Sequence, residues 1–227
     1  MKLYFDPIST SSRPVTFLLH DQGIPFEEAP VSLHLGEHMA PAFARLNPMA
    51  QLPLLDDQGF LLPESNAILK YIAQKLELAL YPTDLRAQAR VDEMLGWFST
   101  NFRAYHCILG VYPTMLPALA HLAPQTRADM AALSAYGSRR HLTVLDEKLA
   151  RQRYAAGDEL TIADYAGLSQ VTLAEYTAFD FSPYPHVAAW IERMKARRGY
   201  HAAFAAFHGF ISSSRVKSHQ SEEGASA

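Results

Sequence analysis

Near residue 80 the sequence changes its rhythm, and that change limits what the chain can fold into. Before it, short strand-like and helix-like runs alternate. "KLYF" (2–5) is short and aromatic, as strands are. "RPVTFLLHDQGI" (13–24) places Val15, Leu18, Leu19 and Gln22 at helical spacing and stops at Gly23. "PFEEAPVSL" (25–33) reads as a second strand, and "APAFARLN" (40–47) as a short helix with Pro41 in its first turn. "LPLLDDQGFLLPES" (52–65) is two apolar runs around Asp57-Gln58-Gly59, a hairpin signal. "ESNAILKYIAQKL" (64–76) puts Ala67, Ile68, Tyr71, Ile72 and Leu76 on one helical face. The order β-α-β-α-β-β-α predicts a small mixed sheet, parallel where a helix joins two strands and antiparallel at the hairpin.

"ELALYPTDLRAQ" (77–88) then breaks the pattern with Pro82, Thr83 and Asp84. After it the period is helical: one long helix from Leu85 to Leu109, then runs at 125–152, 160–178 and 185–198. The fold class is therefore α/β for residues 1–78 and all-α for residues 86–211, with 79–85 as linker. A polar tail, 212–227, has no apolar face and reads as a mobile or partner-held terminus.

Composition removes several function classes. Of 227 residues, 49% are hydrophobic and 19% charged, which suits a globular core. The formal charge is −3, both signs are spread along the chain, and no Lys/Arg run offers a nucleic-acid surface. In "MKLYFDP" the apolar run is cut by Asp6 and Pro7, so no secretory leader is expected. No apolar run reaches the roughly 18 residues of a membrane span, and a soluble, cytoplasmic protein is the expectation. Cys107 is the only cysteine, which excludes an intrachain disulfide and a CxxC redox pair. His34 and His38 are four apart with Gly36 between them, but no third ligand accompanies them, so no metal site is expected.

Four short stretches carry candidate chemistry. In "QLPLL" (51–55), Pro53 removes a ladder donor and belongs at a strand start or edge, where neighbouring backbone can pair with an extended peptide. In "ESNAI" (64–68), Ser65 can simply cap a helix, but Glu64 beside that helix end would suit a group carrying both an ammonium and a carboxylate, such as a free α-amino acid head. His38 is either a lone surface histidine or an anion clamp. In "DPISTSSR" (6–13), Ser11 or Ser12 is expected to cap the helix beginning near Arg13. Four hydroxyls are more than one cap needs, and a hydroxyl at a helix N-terminus can donate to a thiolate or oxyanion.

Together these stretches resemble a known family. "FARLNPMAQLPLLDDQGFLLPESNAILKYI" (43–72) and "LTIADYAG" (160–167) are similar to the signature segments of serine-type cytosolic glutathione transferases, the theta-, delta-, phi- and zeta-like bacterial branch. The resemblance spans residues 1 to about 210. It implies a thioredoxin-like glutathione-binding domain followed by an all-helical domain, as a homodimer. It implies a cis Leu52–Pro53 peptide, with the Leu52 backbone pairing the cysteinyl residue of glutathione. Glu64 and Ser65 would take the γ-glutamyl head, His38 the glycyl carboxylate, and Gln51 would line the groove. The family's serine lies four positions before an arginine, which here is Ser9 before Arg13. Ile8 stands where many members have a small residue, so Thr10 and Ser11 stay candidates beside Ser9. The electrophile would lie between the domains, with Arg103 and Tyr105 as its contacts and Phe207 and Phe210 as cover. Glutathione conjugation is the implied activity. The competing readings are a non-catalytic glutathione binder of the ligandin kind and a glutathione-dependent isomerase or dehalogenase.

Overall fold

The computed structural model describes the backbone of residues 1–225 and the side chains of residues 1–214. The chain forms two compact units. One holds Met1–Glu64 and the segment from Arg198 onward; the other is Ser65–Arg197.

The first unit is built on a four-stranded sheet of order β2-β1-β3-β4: β1 (Lys2–Phe5), β2 (Glu27–Pro30), β3 (Leu54–Asp57) and β4 (Phe60–Pro63). β1 and β2 are parallel, with Phe5 opposite Pro30, because α1 (Arg13–Gln22) crosses between them. β1 and β3 are antiparallel, with Tyr4 opposite Leu54. β3 and β4 form a hairpin closed by Gln58 (φ 57°) and Gly59 (φ 90°). Two positive φ values make this the turn whose twist matches the strands. Asp56 Oδ1 accepts from the Gly59 N–H at 2.8 Å and holds it. The mixed sheet is the one the alternating sequence predicts.

α1 is buried nearly all round, including Val15, Phe17, Leu18 and Leu19. A helix with no polar face must be covered on both sides. α9 (Tyr200–Ala225) covers one side. Phe17 meets Tyr200 and Phe204 edge-on, with ring centroids 6.0 and 5.7 Å apart. At the far end of α1, a Cβ on Gly199 would stand 2.3 Å from the Asp21 backbone nitrogen, so only glycine permits the approach. The Arg198 Nε donates to the Asp21 carbonyl. The contact pairs 21–199, 17–200 and 17–204 run in opposite directions along the two helices. A short α2 (Pro41–Ala44) packs Phe43 against Leu52 and Leu54.

The second unit contains α3 (Ser65–Lys75), α4 (Leu85–Trp97), α5 (Tyr112–Met115), α6 (Pro124–Leu149), α7 (Ile162–Val171) and α8 (Pro185–Lys195). Every residue of α7 is buried. Its capping box forms as "LTIAD" requires: Asp164 accepts from the Thr161 N–H at 2.9 Å. The same carboxylate accepts from Ala155 N at 2.8 Å and Trp190 Nε1 at 2.9 Å, so one acid organises three segments. Asp84 caps α4 through the N–H groups of Arg86 and Ala87.

The long helix expected from Leu85 to Leu109 differs in its winding. Beyond Trp97 the turns widen to π-helix over Phe98–Phe102 and Ala104–Val111. Ser99 Oγ donates to the Leu95 carbonyl at 2.6 Å and Thr100 Oγ1 to the Gly96 carbonyl at 2.7 Å. Hydroxyls that bond back to the i−4 carbonyl compete with the helical ladder there. A period count over apolar positions does not register that competition. The compact units also regroup elements relative to the linear division at 79–85: α3 falls in the helical unit, and α9 in the unit that holds the sheet, where it packs on α1. Of the polar tail, residues 212–225 continue α9, and residues 226–227 lie outside the described residues.

Candidate functional site

The sheet register brings the first unit's candidate residues to one end. Tyr4 is opposite Leu54, and Leu54 is opposite Pro63. The turn after β1, the segment before β3 and the residue after β4 therefore emerge together, and the turn after β2 joins them beside Phe5. These four segments carry Ser9, His38, Gln51–Pro53 and Glu64.

Ser9 sits in the turn between β1 and α1. Its carbonyl accepts from Ser12 N at 3.1 Å and from Arg13 N at 3.0 Å. Its hydroxyl oxygen accepts from Ser11 N and Ser12 N, both at 3.3 Å. The Ser9 carbonyl thus takes the amide that opens α1, and its hydroxyl holds two amides just before the helix; the side-chain cap expected of Ser11 or Ser12 does not form, although Ser12 is the N-cap residue. Ser12 is fully buried and its oxygen turns back to accept from Asp6 N at 3.4 Å. Thr10 is only 4% exposed, whereas Ser9 and Ser11 are half-buried. An oxygen that accepts twice still has a proton to give, and accepting polarises that proton toward donation.

Asp6 ties this turn to the next one. Its carboxylate accepts from Ile8 N and from Leu33 N, both at 2.8 Å. The Leu33 turn leads into Glu37–Met39, which holds His38; Glu37 Oε2 accepts from Ser32 N at 2.7 Å and closes the loop. His38 is half-buried, with its Nδ1 shielded from solvent. On the other side, the buried Asn47 donates from Nδ2 to the Gln51 carbonyl at 2.8 Å and accepts from Met49 N at 3.2 Å. That clamp sets the path into Leu52–Pro53, whose peptide is cis. Glu64 follows β4 with φ 73°, an exposed acid in a left-handed conformation costly for a residue with a Cβ. Ser65 opens α3.

The remaining candidates lie in the second unit. Arg103 Nη1 donates to Gln170 Oε1 at 3.2 Å, and the guanidinium stands 5.6 Å from the Tyr112 ring. Tyr105 lies flat on α6, where a Cβ at Gly137 would meet its ring at 2.2 Å, and its ring is 5.4 Å from that of His141. His106, next after Tyr105, is buried; its Nε2 is 3.2 Å from the Val171 carbonyl and its Nδ1 3.3 Å from Ser138 Oγ. A carbonyl only accepts, so Nε2 carries the proton and Nδ1 accepts from the serine. Burial pushes the pKa of His106 down to about 4. Phe207, weighed as cover for an electrophile, is fully buried in the first unit, 3.8 Å beneath the Arg13 guanidinium.

The family model described as "Glutathione S-transferase, N-terminal domain" matches residues 1–74, and "Glutathione S-transferase, C-terminal domain" matches residues 102–198. The chain belongs to the glutathione transferase family. Glutathione S-transferase theta-1 of Mus musculus is 34% identical over 207 residues, covering 88% of this chain and 84% of its own. Theta-1 of Homo sapiens is 33% identical over 207 residues with the same two coverages. Among solved structures, human glutathione transferase theta-2, in complex with glutathione and an unknown ligand, superposes with a TM-score of 0.84 at 28% identity, over 95% of this chain and 90% of that one. Glutathione transferase F7 from Populus trichocarpa gives 0.81 at 28% identity, over 91% and 98%.

Within this glutathione transferase fold, the sequence reading missed the residues that shape the turns. Asp6 was seen only as the end of an apolar run, and Asn47 only as part of a signature. An acid directly after a strand, before a proline and a row of hydroxyls, is the signal that pointed to a turn-bridging carboxylate.

Proposed function

We propose that this glutathione transferase ionises glutathione, its co-substrate, against the Ser9 hydroxyl and directs the thiolate at a hydrophobic electrophile. One observation carries the reading: the Ser9 oxygen accepts from the Ser11 and Ser12 amides, just ahead of α1, which leaves its proton for the sulfur. A free thiol has a pKa of about 8.5. Lowering it by about two units needs roughly 2.7 kcal/mol. A hydrogen bond to a charged group contributes about 1.5–3 kcal/mol and a helix end about 0.3–1 kcal/mol. The thiol proton passes to solvent and Ser9 keeps its own. The sulfur lone pair then forms the new S–C bond while the bond to the leaving group breaks, or while an activated double bond accepts the electron pair.

In the same proposal, Leu52 and Pro53 present backbone to the cysteinyl residue and Gln51 lines the groove. Glu64 and Ser65 hold the γ-glutamyl head, and His38 holds the glycyl carboxylate. The convergence of these segments at one sheet end and the left-handed Glu64 support it. Arg103 is the firmer electrophile contact of the pair, because Tyr105 is committed to packing on Gly137. Homodimer assembly and a cytoplasmic location complete the proposal; no helix among the described residues is long and apolar enough to cross a membrane. The test is titration of the bound thiol by its ultraviolet thiolate absorbance, in the parent and in Ser9→Ala. A bound thiol that titrates as free glutathione does would reject the proposal.

A further inference from the structure

Residues 32–40, the loop that carries His38, have no buried side chain. Leu33, Leu35 and Met39 are all exposed. Packing therefore does not hold this loop, and a segment without buried apolar contacts is ordinarily among the first to open. Its internal hydrogen bonds give it a shape. Gly36 N donates to the Leu33 carbonyl at 3.2 Å, Glu37 N to the Ser32 carbonyl at 3.0 Å, and Met39 N to the Gly36 carbonyl at 2.9 Å. Shape alone does not fix position. Among the described residues the His38 ring has no hydrogen bond of its own, and its shielded Nδ1 lacks a partner. The ring goes where the loop goes.

The tie to the rest of the first unit comes from Asp6, which is only 2% exposed. Its carboxylate is split: Oδ1 accepts from Ile8 N and Oδ2 from Leu33 N, both at 2.8 Å. The Ile8 bond closes a local turn, for which one acceptor oxygen suffices. The Leu33 bond spans 27 positions of the chain. Among the described residues, no other hydrogen bond joins residues 32–39 to β1, α1 or the turn between them. Only a carboxylate offers an acceptor at both places; an asparagine would set an NH2 group against one of the two amides. Burying a carboxylate costs hydration, so the second oxygen needs a purpose beyond the local turn. That purpose is the loop that carries His38.

We infer that Asp6 is a positioning residue for the glycyl end of glutathione: its Oδ2 fixes the loop that carries His38, and so sets how strongly the protein selects a free glycyl carboxylate. This rests on the reading of His38 as the holder of that carboxylate. Asp6 does not touch the ligand in this role; it acts through the Leu33 amide.

The test measures binding of glutathione and of its glycyl ethyl ester to the full chain by titration calorimetry, with the melting temperature recorded alongside. The readout is the ratio of the two affinities. In the parent, glutathione should bind about tenfold tighter than the ester, because only the free carboxylate makes a charge-assisted bond. Leu33→Pro, at an exposed position, removes the N–H that Oδ2 accepts from and leaves Asp6 on Ile8. It should bring the ratio close to one, by weakening glutathione and leaving the ester nearly unchanged. Asp6→Asn serves only one of the two amides and should lower the ratio several-fold. If one of these variants does not fold, the other decides. A parent ratio kept in either folded variant overturns the inference, even where both ligands weaken together or the melting temperature falls, since a purely structural tether would give that result. His38→Ala separates the two ideas. A parent ratio near one, or a ratio that His38→Ala leaves unmoved, fails the His38 reading and with it the route assigned to Asp6. A ratio that collapses in His38→Ala but not in Leu33→Pro keeps the His38 reading and overturns the role of Asp6 alone.

Discussion

The Ser9 oxygen accepts the amide protons of Ser11 and Ser12, just before α1, and the Asp6 carboxylate accepts two more from the flanking turns, so the loop is held by side chains at nearly every step. This division of labour predicts how neighbouring hydroxyls differ. Thr10 is buried, so Thr10→Ala should lower stability by about 1 kcal/mol and leave the bound thiol pKa unchanged. A thiol pKa that follows Thr10 instead would move the donor one residue along. Asp6→Ala strands two backbone N–H groups and should cost about 2–4 kcal/mol in denaturant unfolding, with weaker glutathione binding. Arg103→Ala should raise KM for a hydrophobic electrophile several-fold and leave KM for glutathione alone, readable in steady-state kinetics with each substrate varied. Equal change in both constants would remove Arg103 from the electrophile side. At this scale the sequence was legible where a residue's chemistry is singular. Glu64 and Pro53 stood out on type and position. Ser9 was one of four hydroxyls, and which of them holds which amide depends on a turn geometry that composition does not encode.

Helices and their junctions were legible by period, and they fail to follow it where side chains intervene. The π-helical stretch after Trp97 arises where Ser99 and Thr100 occupy the carbonyls of Leu95 and Gly96. The stretch seats His106 between α6 and α7, and that burial has a sign. The folded protein keeps His106 neutral, with its pKa at about 4 against an ordinary 6.5. The unfolded chain takes up a proton below pH 6.5, so acid favours unfolding. His106 therefore costs nothing above pH 6.5, and stability falls as pH drops from 6.5 toward 4, by about 3 kcal/mol in all. His106→Gln keeps a donor and an acceptor without a proton to gain. Denaturant unfolding at several pH values should show that part of the acid sensitivity gone in the variant; an unchanged slope would assign it elsewhere. At the α1–α9 junction, Gly199→Ala drives a Cβ into the Asp21 backbone, which has no flexible end to yield. A loss of about 3 kcal/mol is expected, seen as a lowered melting temperature.

Across the whole molecule, the change of rhythm near residue 80 marks where mixed strands and helices give way to helices alone, while the compact units divide elsewhere. It could not show that the last helix returns to the first unit and packs on α1. α9 follows helix upon helix in the sequence, and it joins α1 through the tight approach of Gly199 to Asp21, the packing of Phe17 on Tyr200 and Phe204, and the Arg13 guanidinium on Phe204 and Phe207. Such contacts join residues almost the full chain length apart and leave no periodic trace. Assembly is the other property of this scale. A homodimer predicts a mass of about twice 25.3 kDa in sedimentation. The central claim concerns the sulfur, and the pKa of the bound thiol tests it most directly. Titrated on the full protein, glutathione should ionise near about 6.5 and return toward about 8.5 in Ser9→Ala. A bound thiol that ionises at its free value in the parent protein, or one that Ser9→Ala leaves unmoved, would contradict the account.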